Sequence, residues 1–153
     1  MKLAEALIER KSIKNKMEEL KKRIYQNSQV QEGDEPTESP EYLIDELDKE
    51  TAKLEEMIIR INKTNNVTEL SNGINMMEAL TKRDMLRYKH FILNNLADKA
   101  VPSLDRYSQR EIKITPSIKV ADIREKADEI AKAARLLDMK IQEANWSISL
   151  IKL

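Results

Sequence analysis

The residue best suited to acid–base or metal chemistry is His90, the only histidine in the chain. Together with Arg83, Arg87 and Asn94 it would form one polar stripe if the segment is helical, because these positions recur at helical spacing. Carboxylate-bridged di-metal bundles need a Glu-x-x-His pair on each of two helices. The residue three positions before His90 is Arg87, and there is no second histidine, so the sequence excludes that kind of site.

Carboxylates are the other candidate chemical groups. Oxygen ligands suffice for Mg²⁺, and Asp84, Asp105, Glu111 and Glu143 could supply them, although nothing in their spacing requires a metal. The absence of cysteine excludes thiol nucleophiles, disulfides and Cys–zinc sites. Two glycines cannot form a Gly-rich nucleotide-binding loop. We therefore predict neither a cofactor nor a metal.

Four long amphipathic helices are predicted to position these residues. Apolar side chains recur at helical spacing over about residues 3–25, 40–63, 76–98 and 120–146. Ser39 and Pro40 make a strong start for the second helix, because serine caps and proline suits the first helical position. A polar linker, residues 26–39, separates the first two helices.

Two connections are predicted to be short and extended. Asn72-Gly73 is a hairpin-type turn signal, and Asn75 with Glu78 resembles a capping box that starts the third helix. Residues 111–115 alternate polar and apolar, as a half-buried strand would. The predicted fold is all-α: a single domain, residues 1–153, of four antiparallel helices, with a short extended or hairpin insertion between helices two and three and between helices three and four.

The third helix carries apolar residues on two sides. Its main apolar face contains Asp84 and Asn95, and a buried carboxylate there would need a partner. Leu86 and Leu93 lie roughly opposite, and a helix that is apolar on two sides usually has partners on two sides. The main face consists of Met77, Leu80, Tyr88, Phe91 and Ile92.

The fourth helix has the most regular apolar seam in the chain, and a second seam in its C-terminal half. The first seam repeats in steps of four and three, as in a coiled coil: Ile123, Ala127, Ile130, Ala134, Leu137, Ile141 and Ala144. Glu143 interrupts the second seam, which consists of Leu136, Met139, Trp146 and Leu150. This seam could pack against the chain's own tail or linker, or, as we favour, against another copy.

Composition narrows the function classes. Lys and Arg number 27 and Asp and Glu also number 27, which argues against a protein whose main role is to bind nucleic acid. No apolar run approaches the length of a membrane span. The N-terminus carries acids in its first turns and does not read as a signal peptide, so we expect a cytoplasmic protein.

Several segments together resemble the septicolysin-like family of uncharacterised bacterial proteins. The resemblance rests on residues 2–10, 30–33, 60–65, 83–87, 105–113 and 142–146, together with His90. It implies no established activity, although the family's label suggests a membrane-active cytolysin.

The resemblance also directs attention to a cluster of polar residues. We expect a buried network that pairs Asp84 or Glu111 with Arg87 or Arg106, and that either fixes assembly geometry or lines a pocket. The candidate cluster is Asn62, Asn65, Asp84, Arg87, His90, Asp105, Arg106, Tyr107, Glu111, Lys113, Glu143, Asn145 and Trp146.

The sequence leaves three functions open. The favoured one is a structural or interaction protein that forms homo-oligomers. The second is an enzyme or a binding protein for an unknown small ligand, which uses Asp84, Arg87, His90 and Tyr107; catalysis is the less favoured form of this hypothesis. The third is the membrane-active cytolysin that the family label suggests.

Overall fold

The computed structural model describes residues 1–71, 73–103 and 112–152, and it is built almost entirely of helices. The predicted all-α class with four long helices is confirmed. Each helix begins at the predicted residue and ends one to four residues later than predicted. The elements are α1 Leu3–Gln26, α2 Pro40–Val67, β1 Glu69–Ser71, β2 Ile74–Asn75, α3 Met76–Ala100 and α4 Val120–Ser147.

Local capping chemistry sets where the helices begin. The Oγ atom of Ser39 accepts a hydrogen bond from the Tyr42 amide, and Pro40 occupies the first position of α2. The Asn75 side chain accepts from the Glu78 amide at 2.8 Å, and the Glu78 carboxylate accepts from the Asn75 amide at 2.9 Å. These bonds satisfy backbone donors that a helix leaves unpaired at its start.

The two connections turn out differently. Strands β1 and β2 pair in a small hairpin, in which Gly73 has a φ of 76°, as the turn signal predicted. The prediction of a strand over residues 111–115 was wrong for residues 112–115, because residues 112–119 contain no strand. Ile112 and Ile114, which form the apolar side of the alternating pattern, are 84% and 67% exposed.

The chain divides into two compact units. Unit 1 comprises residues 1–69 and 142–153, and unit 2 comprises residues 70–141. The prediction of a single domain therefore stays a prediction, and the two units are described in turn.

Unit 1 is an antiparallel pair, α1 and α2, completed by the C-terminal segment. Arg23 pairs with Glu38 and Lys16 with Glu50, so the end of α1 lies beside the start of α2. Apolar side chains from both helices and from the tail fill the core: Leu3, Ala6, Ile13, Leu20, Leu43, Met57, Ile61 and Leu150.

The C-terminal tail of unit 1 lies between the N-terminus and the end of α2. The Leu3 amide donates to the Ile148 carbonyl and the Leu150 amide to the Met1 carbonyl, both at 3.0 Å. On the other side, the Ile151 amide donates to Thr64 Oγ1 at 3.1 Å, and Arg60 Nε donates to the Ile151 carbonyl at 2.9 Å. The tail is thus fixed by backbone hydrogen bonds and by the burial of Leu150.

Unit 2 is a second antiparallel pair, formed by α3 and the first part of α4. Arg83 pairs with Asp138, and Arg124 pairs with Asp98, which fixes the opposite directions of the two helices. The predicted first seam of α4 is confirmed, since its residues within unit 2 are buried or half-buried. Many buried residues here are alanines, which allow close packing of helices: Ala79, Ala97, Ala127 and Ala134.

Candidate functional site

The orientation of α3 decides which of its polar residues can act together. The side that carries Arg83, Leu86 and His90 is half-buried, and it continues into the buried Ala79 and Ala97. The opposite side carries the larger apolar residues and is exposed. The expectation that this larger face is buried, with Asp84 inside it, was therefore wrong.

The exposed side of α3 is extensive. Tyr88 is 60% exposed and Phe91 59%, and Asp84 between the apolar residues is also exposed. We call this surface the α3 apolar face; its apolar members are Met77, Met85, Tyr88, Phe91, Ile92 and Leu96. Physically, alanines let α3 approach its partner more closely than aromatic side chains would.

An ion-pair cluster links α3 to α4. Asp138 Oδ1 lies 2.9 Å from Arg83 Nη1 and 3.2 Å from Arg87 Nη2. Arg83 also donates through Nε and Nη2 to Asp84 Oδ1, at 3.0 and 2.9 Å. The expected pairing of Asp84 with Arg87 was wrong, because Arg87 turns to Asp138 and Arg83 takes its place beside Asp84.

Electrostatics in this cluster favour the charged states. Burial acts to lower the pKa of Arg83, whereas the hydrogen bonds to Asp84 and Asp138 raise it. The second effects win, and the pKa of Arg83 lies above its ordinary value. The Arg83 side chain is only 16% exposed, and its guanidinium is a cation held between two carboxylates.

A cleft of about 450 Å³ opens beside this cluster, between α3 and α4. Its walls carry basic groups on both helices, together with Asp138. Between them lies a narrow apolar strip of α4. The lining residues are Arg87, His90, Ala131, Lys132, Ala134, Arg135, Leu136, Asp138 and Met139.

The other candidate residues lie elsewhere. In unit 1, Asn62 and Asn65 lie near the end of α2, while Glu143, Asn145 and Trp146 lie near the end of α4. Asn145 is buried, Asn65 half-buried and the others exposed. Lys113 is exposed in the segment before α4. The remaining candidates lie outside the described residues: Asp105, Arg106, Tyr107 and Glu111.

The second seam of α4 is mostly exposed. Leu136, Met139 and Trp146 are 52%, 67% and 59% exposed, and Glu143 is exposed as well. The alternative prediction, that these residues pack against the chain's own tail or linker, was therefore wrong. Leu150 is the exception, because it is buried in unit 1.

Two acidic residues that matter in the structure were missed. Asp138 joins Arg83 to Arg87, and Glu50 is the buried carboxylate of unit 1, at 4% exposure. Glu50 Oε1 accepts from Lys16 Nζ at 2.7 Å and from Lys53 Nζ at 2.9 Å. The signal for Glu50 was its helical spacing on α2, three residues after Leu47 and four residues before Leu54, which are both half-buried.

Residues 1–71, 73–103 and 112–152 contain neither a cluster of metal ligands nor a membrane-spanning helix. No group of three or more His, Asp or Glu residues in this part of the chain is placed to hold a metal ion. Across the same residues, none of the helices combines the length and apolarity that a membrane crossing needs.

Comparisons with known proteins support the fold but name no activity. A model for a family of unknown function, DUF6847, matches residues 10–150. A crystal structure described as that of a functionally unknown conserved protein from Corynebacterium diphtheriae is 40% identical, covers 99% of each chain and superposes with a TM-score of 0.93. No curated protein matches the chain.

These matches correct the resemblance drawn from the sequence. The family that matches is one of unknown function, and neither the family model nor the solved structure points to a septicolysin-like family. The septicolysin-like assignment was wrong, and the cytolysin activity that it suggested has no support.

Proposed function

We propose that this chain, which belongs to the DUF6847 family of unknown function, is a helical assembly protein that binds a second copy of itself through the α3 apolar face. The observation that carries this proposal is the exposure of the larger apolar side of α3, with Tyr88 and Phe91 more than half exposed at its centre.

The size of the face suits a protein interface. Tyr88 and Phe91 are 60% and 59% exposed, and an aromatic side chain has about 150–250 Å² in all, so each exposes about 90–150 Å². With its four aliphatic members, the face exposes on the order of 500–700 Å². The largest apolar patch on a typical monomer is about 300–600 Å². Each partner in a standard interface contributes about 800 Å². The α3 apolar face thus comes close to the area that one partner supplies.

The spacing and charge of the face favour an identical partner. Met77, Thr81, Asp84, Tyr88, Phe91 and Asn95 follow one another in steps of four and three, the spacing by which helices pair in coiled coils. The chain has equal numbers of acidic and basic residues, so two copies meet without net repulsion.

Sedimentation velocity across a micromolar concentration series tests the proposal. We expect the wild-type chain to sediment as a dimer or larger, and the double variant Tyr88→Ser, Phe91→Ser to sediment as a monomer with unchanged helix content. Tyr25→Ser is the matched control, because Tyr25 is 68% exposed but lies on α1 in unit 1. A wild-type chain that is monomeric throughout, or a double variant that still assembles, contradicts the proposal.

A further inference from the structure

We propose that the cleft between α3 and α4 binds a small organic phosphate, with the phosphate group held by Arg87, Lys132 and Arg135. This inference goes beyond self-association, and it rests on a different part of unit 2. The first support is size, since about 450 Å³ lies within the roughly 300–1,000 Å³ of small-molecule sites.

The second support is an unbalanced local charge. Arg87, Lys132 and Arg135 line the cleft, and among the lining residues that the structure describes Asp138 is the only carboxylate. Asp138 is already engaged by Arg83 and Arg87. Lys132 and Arg135 make no ion pair with any residue in the described ranges. Within the lining of this cleft the cations therefore outnumber the carboxylates by three to one, as at a site for an anion, although Glu125, Asp128 and Glu129 lie on the other side of Lys132 and Arg135.

The third support is the fixed position of Arg87. The Asp138 carboxylate lies 3.2 Å from Arg87 Nη2 and is itself held by Arg83 at 2.9 Å. A guanidinium has five N–H donors, so this contact leaves others free for an oxyanion. Holding the side chain in place lowers the entropy cost of binding, and a guanidinium matches the geometry of phosphate oxygens.

The apolar strip of the cleft defines the rest of the ligand. Ala131, Ala134, Leu136 and Met139 of α4 line the cleft together with the basic groups. Inorganic phosphate would leave this strip in water, whereas an ester with a compact apolar or aromatic body would cover it. Three cations surround one protein carboxylate, that of Asp138. This charge balance suits a ligand with a doubly charged phosphate group better than a ligand with one carboxylate group. We therefore expect phosphate monoesters to bind more tightly than carboxylates of the same shape.

The single histidine provides a direct assay, because its ring protons give one set of NMR signals and His90 lines the cleft. Phenyl phosphate is titrated at constant pH. We expect a saturable shift of the His90 signals. Benzoate and inorganic phosphate, titrated in parallel, should each bind about tenfold more weakly, which corresponds to about 1.4 kcal/mol.

Matched variants separate a site from general attraction to charge. The double variant Lys132→Gln, Arg135→Gln should weaken phenyl phosphate binding by tenfold or more, on the order of one charge-assisted hydrogen bond. Lys126→Gln is the control: it also removes a positive charge from α4 but faces nearly opposite to Arg135, and its affinity should equal that of the wild type.

Several results would overturn the inference. One is that the His90 signals do not shift with phenyl phosphate, and another is that benzoate binds as tightly as phenyl phosphate. A third is that Lys126→Gln weakens binding as much as the double variant does. The last is that the His90 signals respond only to a polymeric nucleic acid. The Lys132→Gln, Arg135→Gln variant should sediment as the wild-type chain does, because its substitutions lie outside the α3 apolar face. A loss of phenyl phosphate binding in this variant is therefore not a loss of self-association.

Discussion

Replacing Glu50 by glutamine should destabilise unit 1 by about 1–2 kcal/mol. Glu50 Oε1 accepts both lysine hydrogen bonds, and glutamine keeps that oxygen while losing the charge. A hydrogen bond to a charged group contributes about 1.5–3 kcal/mol. Lys16 and Lys53 are 51% and 62% exposed, so water screens the interaction and reduces its value.

The effect should depend on pH in a defined direction. Hydrogen bonds from Lys16 and then from Lys53 lower the pKa of Glu50 in the folded state. A lowered folded pKa contributes stability that is fully present above the unfolded carboxyl pKa, about 4.3, and is lost as the pH falls through the folded pKa. The difference between wild type and variant should therefore be constant near neutral pH and shrink only below about pH 4.3.

Urea denaturation followed by circular dichroism measures this difference at each pH. Glu46→Gln is the matched control, because Glu46 lies one turn earlier on α2 and pairs with Lys49 in the same helix. A pair of this kind, between neighbouring turns of one helix and screened by water, contributes little to stability. Equal losses for Glu46→Gln and Glu50→Gln, or a Glu50→Gln effect that grows as the solution is acidified, would refute the reasoning.

Three further substitutions should lower the free energy of unfolding by different amounts, measured by urea denaturation. Thr64→Val should cost about 1–2 kcal/mol, because the buried hydroxyl accepts from the Ile151 amide and valine leaves that donor unpaired; no loss would mean that the tail is not held there. Asp138→Asn should cost about 1 kcal/mol, since Arg83 loses a charged partner in a half-buried position. Asp84→Asn should stay within about 0.5 kcal/mol, because Asp84 is exposed; a larger loss would place it in a buried network.

Helix positions could be predicted from the sequence because their signals are local. Ser39 with Pro40, and Asn75 with Glu78, satisfy backbone donors within a few residues of themselves. Such bonds depend little on what the helix packs against. The seam of α4 was equally readable, because seven apolar residues repeat without interruption.

The orientation of α3 could not be predicted in this way. Summed hydrophobicity places Tyr88 and Phe91 inside, yet the structure buries Ala79 and Ala97 and half-buries Arg83. Small side chains pack closely across a helix pair, and Arg83 gains its partner from α4. Both gains depend on residues of α4, from 26 to 55 positions away where ion pairs mark the contact, so the pattern of α3 alone carries no sign of them. The same limit applies to Glu50, whose lysine partner on α1 is 34 positions away.

Arg83 connects the two proposed surfaces of unit 2. On one side it holds Asp138, which positions Arg87 at the cleft; on the other it donates to Asp84 in the middle of the α3 apolar face. A second copy on that face would bury Asp84, and burial of an unpaired carboxylate would oppose association. Arg83 already pairs with Asp84 within one chain, so the free energy required to bury the Asp84 carboxylate in the interface is smaller. Asp84 is therefore compatible with assembly through the α3 apolar face.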